Sequence, residues 1–213
     1  MAKTRSPVNA GLFYCVPGQH GEDIRVENAY YECGSCIGDN HDEVQSEYVY
    51  LNTQLTRRAA FLTMFGLFEH RMTECQKLME TLSGDVWDKD KYRTFESADK
   101  KLRKTIGGKS TNKLDHLAAV RNVMAHNDGI AFRYKQDINQ PGSDAALRRL
   151  RAIRKAVEKK MGVSVNGFNG VLLDKRFLMC AVDEFKQYID GMEAAINAYL
   201  KATSKEGMLV AYD

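Results

Sequence analysis

A chain of 213 residues with 44 % hydrophobic and 28 % charged side chains has the composition of an ordinary globule, one domain plus an extension or two small domains, and not of a disordered chain. The longest apolar run, Ala59 to Phe68, is far too short to cross a bilayer, and Leu12–Val16 is too brief for the apolar part of an export signal. The expectation is a cytoplasmic protein that makes no membrane contact. A net charge of +3 excludes little by itself, but its distribution is uneven: eight acids and one base lie between Glu22 and Glu47, and seven bases and one acid between Leu147 and Lys160.

In chain order, residues 1–41 read as an irregular or partly β extension, because glycines at 11, 18, 21, 34 and 38 and prolines at 7 and 17 interrupt any helical period. Residues 42–213 read as one helical domain. Asp42 is the expected N-cap of a long helix ending at Leu82, stopped by Ser83-Gly84. Val44, Tyr48, Leu51, Leu55, Leu62, Phe65, Phe68, Met72, Cys75 and Met79 form its apolar stripe. Such a helix is about 60 Å long, with Gly66 the place for a bend. A second helix fits Ser97–Ile106, and a third starts after Ser110 or Thr111 and reaches about Ala125. Ser143 is placed to cap a fourth that carries the basic strip to Met161-Gly162. Asn166-Gly167 and Asn169-Gly170 mark a turn or short hairpin within Val163–Leu173. From Asp174 a last helix carries Phe177, Leu178, Ala181, Phe185, Tyr188, Ile189, Met192, Ala195, Ile196, Tyr199 and Leu200 on a broad apolar stripe. The fold class is therefore all-α: an elongated antiparallel bundle with a short N-terminal extension.

Chemistry concentrates in Leu114–His126, a segment apolar on nearly every side and hence a buried helix. Its strongest stripe is Leu114, Leu117, Ala118, Arg121, Met124 and Ala125, which assigns Arg121 to the core. A buried guanidinium without a counter-charge costs several kcal/mol, so a carboxylate or an anionic ligand must compensate. Asn122 and His126, four apart, share a face, and Arg121 can swing towards them. An arginine, an amide and an imidazole that converge can bind phosphate and move protons near neutral pH, since free histidine titrates near 6.5. The plain alternative is a buried arginine–carboxylate pair with a histidine satisfied by a backbone carbonyl. His116 is left outside this group.

Arg121-Asn122-Val123-Met124-Ala125-His126 resembles the Rx4–6H signature of the HEPN superfamily, in which a polar residue, often Asn, commonly follows the arginine. A long helix leading in, the motif helix, and a turn before a final amphipathic helix agree with that resemblance over roughly residues 42–202; residues 1–41 have no counterpart in it. The resemblance implies a metal-independent endoribonuclease without a cofactor, acting as a homodimer whose motif helices meet in a shared cleft. The ribose 2′-hydroxyl there attacks the neighbouring phosphate. Carried over, His126 is the general acid/base, Arg121 holds the scissile phosphate and Asn122 orients one or the other. Such proteins serve as toxins or phage-defence effectors, often with an antitoxin or defence-system partner. A non-catalytic HEPN module for dimerisation or for nucleotide or RNA binding is the second reading.

The remaining signals are weaker. Arg148, Arg149, Arg151, Arg154 and Lys155, with Arg133 and Lys135 behind them, are candidates to guide an RNA backbone, or else a solvated helix face. Glu69 is either a solvent-facing residue or the carboxylate opposite Arg121, a position where HEPN relatives carry a similar Phe-Glu pair. Cys15, Cys33, Cys36 and His41 could complete a zinc site, although surface thiols are the simpler reading. Cys75 and Cys180 read as small buried residues, and Trp87 and Tyr92 as packing over a helix end or stacking on a base.

Overall fold

The computed structural model describes residues 10–17, 23–33, 36–38, 40–84, 95–107 and 114–210, with side chains at 10–39, 41, 95, 96, 98 and 204–210 outside the description. Among these residues the protein is predominantly helical, and it divides into two compact units, Met1–Thr56 and Arg57–Asp213. The first unit holds an antiparallel sheet of three strands in the order β1 (Ala10–Pro17), β2 (Asp23–Cys33), β3 (Cys36–Gly38). Its register runs from Ala10 opposite Tyr30 to Pro17 opposite Asp23, and Cys33 of β2 is opposite Cys36 of β3. Runs such as Leu12-Phe13-Tyr14-Cys15-Val16 are the aromatic and branched residues that suit a pleated surface.

Helix α1 spans His41–Ser83. Its N-cap is Asn40 rather than Asp42: the Asn40 Oδ1 accepts from the Glu43 N–H at 2.9 Å, the bond to the third helical residue that a cap makes. Gly84 ends the helix at φ +65°, a conformation that costs glycine little. The helix does not break at Gly66. Tyr48, Leu51 and Leu55, expected on the buried stripe, are exposed, whereas Val44 at its start is buried; from Phe61 onward the apolar period of α1 is a core face.

In the second unit Phe61, Phe65, Phe68, Met72 and Met79 of α1 are buried together with Phe177, Ala181, Phe185, Tyr188 and Met192 of α6 (Phe177–Val210). Phe68 stacks on Phe185 at 4.7 Å, and Phe61 meets Phe177 edge-on at 4.8 Å, geometries that aromatic quadrupoles favour. Helix α6 begins three residues later than Asp174, whose Oδ1 accepts instead from the Arg176 N–H. Helix α2 (Phe95–Ile106) is tied to α6 by Asp99, which accepts from the Tyr188 hydroxyl and, at 2.8 Å, from Arg103 Nε. Burial pushes the Tyr188 hydroxyl above its usual pKa, and the Asp99 carboxylate pushes it further. Cys75 and Cys180 are half-buried against the core rather than inside it. Trp87 and Tyr92 lie outside the described residues.

Helix α3 (Asp115–His126) packs against α5 (Ala145–Glu158), and between them comes a short α4 (Tyr134–Asp137) that the sequence period does not show. The cap of α5 is Asp144, not Ser143: its Oδ1 accepts from the Leu147 N–H at 2.9 Å. Asp144→Ala should therefore lower the unfolding free energy by about 1 kcal/mol, read as a shift in the urea midpoint at unchanged slope. Strands β4 (Val163–Val165) and β5 (Val171–Leu173) form the expected hairpin. The Asn166 Oδ1 accepts from the Phe168 and Gly170 N–H groups and so closes the turn. No helix among the described residues is long and apolar enough to cross a membrane.

Candidate functional site

Helix α3 is enclosed over one continuous stretch, with every residue from His116 to Val120 buried and Val123 and Met124 buried beyond it. Ala125, expected on the core stripe, is exposed, whereas Val120 and Val123, outside that stripe, are buried. What remains open is a narrow strip on which Arg121 and Asn122 are half-buried and His126 is exposed.

Arg121 is held from two directions. Its Nη2 donates to Glu69 Oε1, and its Nη1 donates to the Asn122 Oδ1 at 2.8 Å. Phe65 and Glu69 are one turn apart on α1 and so share a face, and the Arg121 guanidinium carbon lies 5.1 Å from the Phe65 ring centroid, within cation–π range. The counter-charge that a core-facing arginine requires is thus Glu69. The pair is not sealed: the Arg121 side chain keeps 25 % of its exposure and Glu69 31 %. Two of the five guanidinium N–H groups are engaged in these bonds. The other three make no hydrogen bond among the described residues. His126 makes no side-chain hydrogen bond among the described residues.

The segment after His126 is fixed by a residue that sequence spacing could have indicated. Arg58 falls on the stripe of Phe61, Phe65 and Phe68, and its guanidinium donates to the carbonyls of Asp128 at 3.1 Å and Val171 at 3.4 Å. Gly129, at φ +81°, lies so close to that guanidinium that a Cβ there would fall 2.6 Å from its carbon. The backbone of Gly129 also accepts from the Val171 N–H at 2.8 Å. Helix α1 therefore locks the turn behind His126 onto the hairpin.

His116, left outside the site by the sequence reading, is fully buried, with Nε2 2.7 Å from Glu184 Oε2 at ion-pair distance but off hydrogen-bond angle. Lys159 Nζ reaches the other oxygen at 2.5 Å. Burial acts to raise the Glu184 pKa, yet His116 and Lys159 outweigh it and hold the carboxyl below the usual glutamate value of 4.5. A carboxylate with a depressed folded pKa contributes stability above the unfolded value and loses it as pH falls through the folded one. The melting temperature of Glu184→Gln should accordingly lie below wild type at pH 7, the gap closing as pH falls below 4.5; a gap constant down to pH of about 3 would contradict it.

The basic strip is largely engaged in the fold. Arg151 donates to the carbonyls of Gly142 and Gln140, Arg154 pairs with Glu158, Lys155 with Asp115 and Lys159 with Glu184. Arg148 and Arg149 are exposed and make no such contact among the described residues. Arg133 pairs with Asp137. The side chains of Cys15, Cys33, Cys36 and His41 lie outside those described, and among the described residues no group of three or more His, Cys, Asp or Glu is placed to hold a metal ion. The chain matches no protein-family model, no curated protein and no solved structure.

Proposed function

We propose that the protein is a metal-independent endoribonuclease of HEPN type, working in the cytoplasm as a homodimer with the motif helices of two copies facing one cleft. The observation that carries this reading is the joined Arg121–Asn122 pair beside an exposed His126, on the one open strip of an otherwise buried helix. Burial of that helix over most of its surface supplies rigidity, and the Glu69 and Phe65 contacts fix the guanidinium plane, which is the preorganisation that stabilising a developing charge requires.

In this reading Arg121 and Asn122 donate to the non-bridging oxygens of the scissile phosphate. The ribose 2′-oxygen attacks phosphorus, forming the O2′–P bond, and the P–O5′ bond breaks. Two copies supply two imidazoles: one His126 takes the 2′-hydroxyl proton and the other returns a proton to the departing 5′-oxygen. Arg148 and Arg149 guide the backbone. A role as toxin or phage-defence effector, with an antitoxin or defence partner, belongs to the same proposal. A second reading, a non-catalytic HEPN module that dimerises or binds nucleotide or RNA, is favoured by one observation: Glu69 already neutralises Arg121.

The test is incubation with single-stranded RNA in excess EDTA, beside the same sequence as DNA. Cleavage of RNA alone is expected, because DNA lacks the attacking hydroxyl. Uncut RNA, or both strands cut alike, would refute the proposal.

A further inference from the structure

The C-terminal end of α3 opens into a cleft of about 320 Å³ that begins one residue beyond His126. That volume is at the lower end of those in which proteins hold small ligands. Its floor is apolar, made by the buried Val123, Leu150 and Ile153. On its wall stands Phe132, 74 % exposed, a flat apolar face with no aromatic partner among the described residues. Asn127 and Gln140 bring amides to the same cleft.

The charges in the wall separate into satisfied and unsatisfied ones. Asp137 accepts from Arg133 Nη2 at 3.2 Å and from Gln140 Nε2 at 2.8 Å, and Asp144 is turned to the first turn of α5. Asp137 is thereby ion-paired, whereas Asp144 makes one backbone hydrogen bond and no ion pair among the described residues. Arg149 lines the cleft and makes no ion pair or hydrogen bond among the described residues. The cleft thus presents an apolar floor, one aromatic face, two amides, one unpaired cation in Arg149 and one carboxylate, Asp144, without an ion pair. These are complementary to a planar heterocycle with polar edges that carries a negative group at its Arg149 end, and poorly complementary to a purely aliphatic ligand.

The backbone beside Phe132 is held in one shape. Arg133 has φ +57° and Asn169 φ +61°, and a left-handed conformation costs a residue such as arginine roughly 1 kcal/mol or more. It persists because Asn169 receives two hydrogen bonds from this loop: its carbonyl from the Ala131 N–H at 2.9 Å and its Oδ1 from the Lys135 N–H at 3.1 Å. Strained residues held by their surroundings gather at ligand sites, and a loop fixed beforehand lowers the ordering cost of binding. The neighbouring Phe168 is 89 % exposed on the turn that supplies Asn169.

From these observations we infer that the cleft is a nucleobase subsite, taking one nucleotide with its base against Phe132 and its phosphate towards Arg149. The inference rests on the nuclease reading for its natural ligand, one nucleotide of the RNA next to the cut. Binding itself needs no cleavage.

Calorimetric titration of the full chain with AMP, GMP, CMP and UMP, beside ribose 5-phosphate and inorganic phosphate, tests it. At least one nucleotide should bind, and ribose 5-phosphate and phosphate at least about tenfold more weakly, since stacking carries the difference. Phe132→Ala should weaken nucleotide binding by about tenfold or more. Arg149→Ala should weaken the nucleotide and leave the matching nucleoside unchanged. Both side chains are exposed, so thermal melts of the variants should match wild type. The inference is overturned if none of the four nucleotides binds at concentrations up to about 10 mM, tenfold above the dissociation constant of a weak complex, if ribose 5-phosphate binds as well as they do, or if both variants bind like wild type. A protein that binds nucleotide but cuts no RNA refutes the nuclease reading and leaves the subsite standing; one that cuts RNA but binds no nucleotide does the reverse.

Discussion

Replacing His126 with alanine should lower the rate of RNA cleavage by at least about a hundredfold, since a positioned acid–base group contributes 10²–10⁴-fold, while thermal stability stays within about 0.5 kcal/mol of wild type. The two halves of this expectation follow from one fact. The imidazole is exposed and makes no side-chain hydrogen bond among the described residues, so the fold loses nothing when it goes. The proton-transfer step loses the imidazole on the strip shared with Arg121 and Asn122. Single-turnover rates with a labelled RNA, beside a thermal melt, read both quantities. Cleavage at the wild-type rate would remove His126 from the mechanism.

Arg121→Lys should cost nearly as much, about 10²–10³-fold in cleavage, although the charge is kept. The guanidinium donates from separate nitrogens to Glu69 and to Asn122 while its plane lies over Phe65. An ammonium is a point charge without that fork: it can follow Glu69 away from the strip, leaving the phosphate without its donor. The loss of stability should remain near 1 kcal/mol, because the pair is part-exposed and solvent screens it. Lysine that sustains wild-type cleavage would make the Arg121–Glu69 pair purely structural and favour the non-catalytic module.

The parts of the fold legible in the sequence are those where local period and tertiary burial coincide. Phe177, Ala181, Phe185, Tyr188 and Met192 recur every three or four residues and all are buried, while Ile189 at the edge of the same predicted stripe is exposed. The two Asn-Gly pairs mark the hairpin because an Asn side chain closes its turn. Burial of the motif helix follows from its having almost no polar face. Where the sequence reading departs from the structure, a neighbour in space decides. Tyr48, Leu51 and Leu55 have the period of a core face and are exposed. Ala125 is exposed while Val120 and Val123, off the predicted stripe, are buried. Ser143 and Asp144 are equally good caps by residue type, and only the chain path through Gly142 selects the second. At the site, the need for a counter-charge on Arg121 is readable from one helix, but the identity of its partner depends on how α1 crosses α3. The roles of Arg58 and Phe132 depend likewise on loops with no periodicity to read.

The most direct measurement is of the chemistry left at the cut. RNA fragments made in excess EDTA should end in a 2′,3′-cyclic phosphate and begin with a 5′-hydroxyl, and both products should vanish with His126→Ala. Fragments ending in a 3′-hydroxyl with a 5′-phosphate, or cleavage that appears only when a divalent metal is restored, would contradict the account.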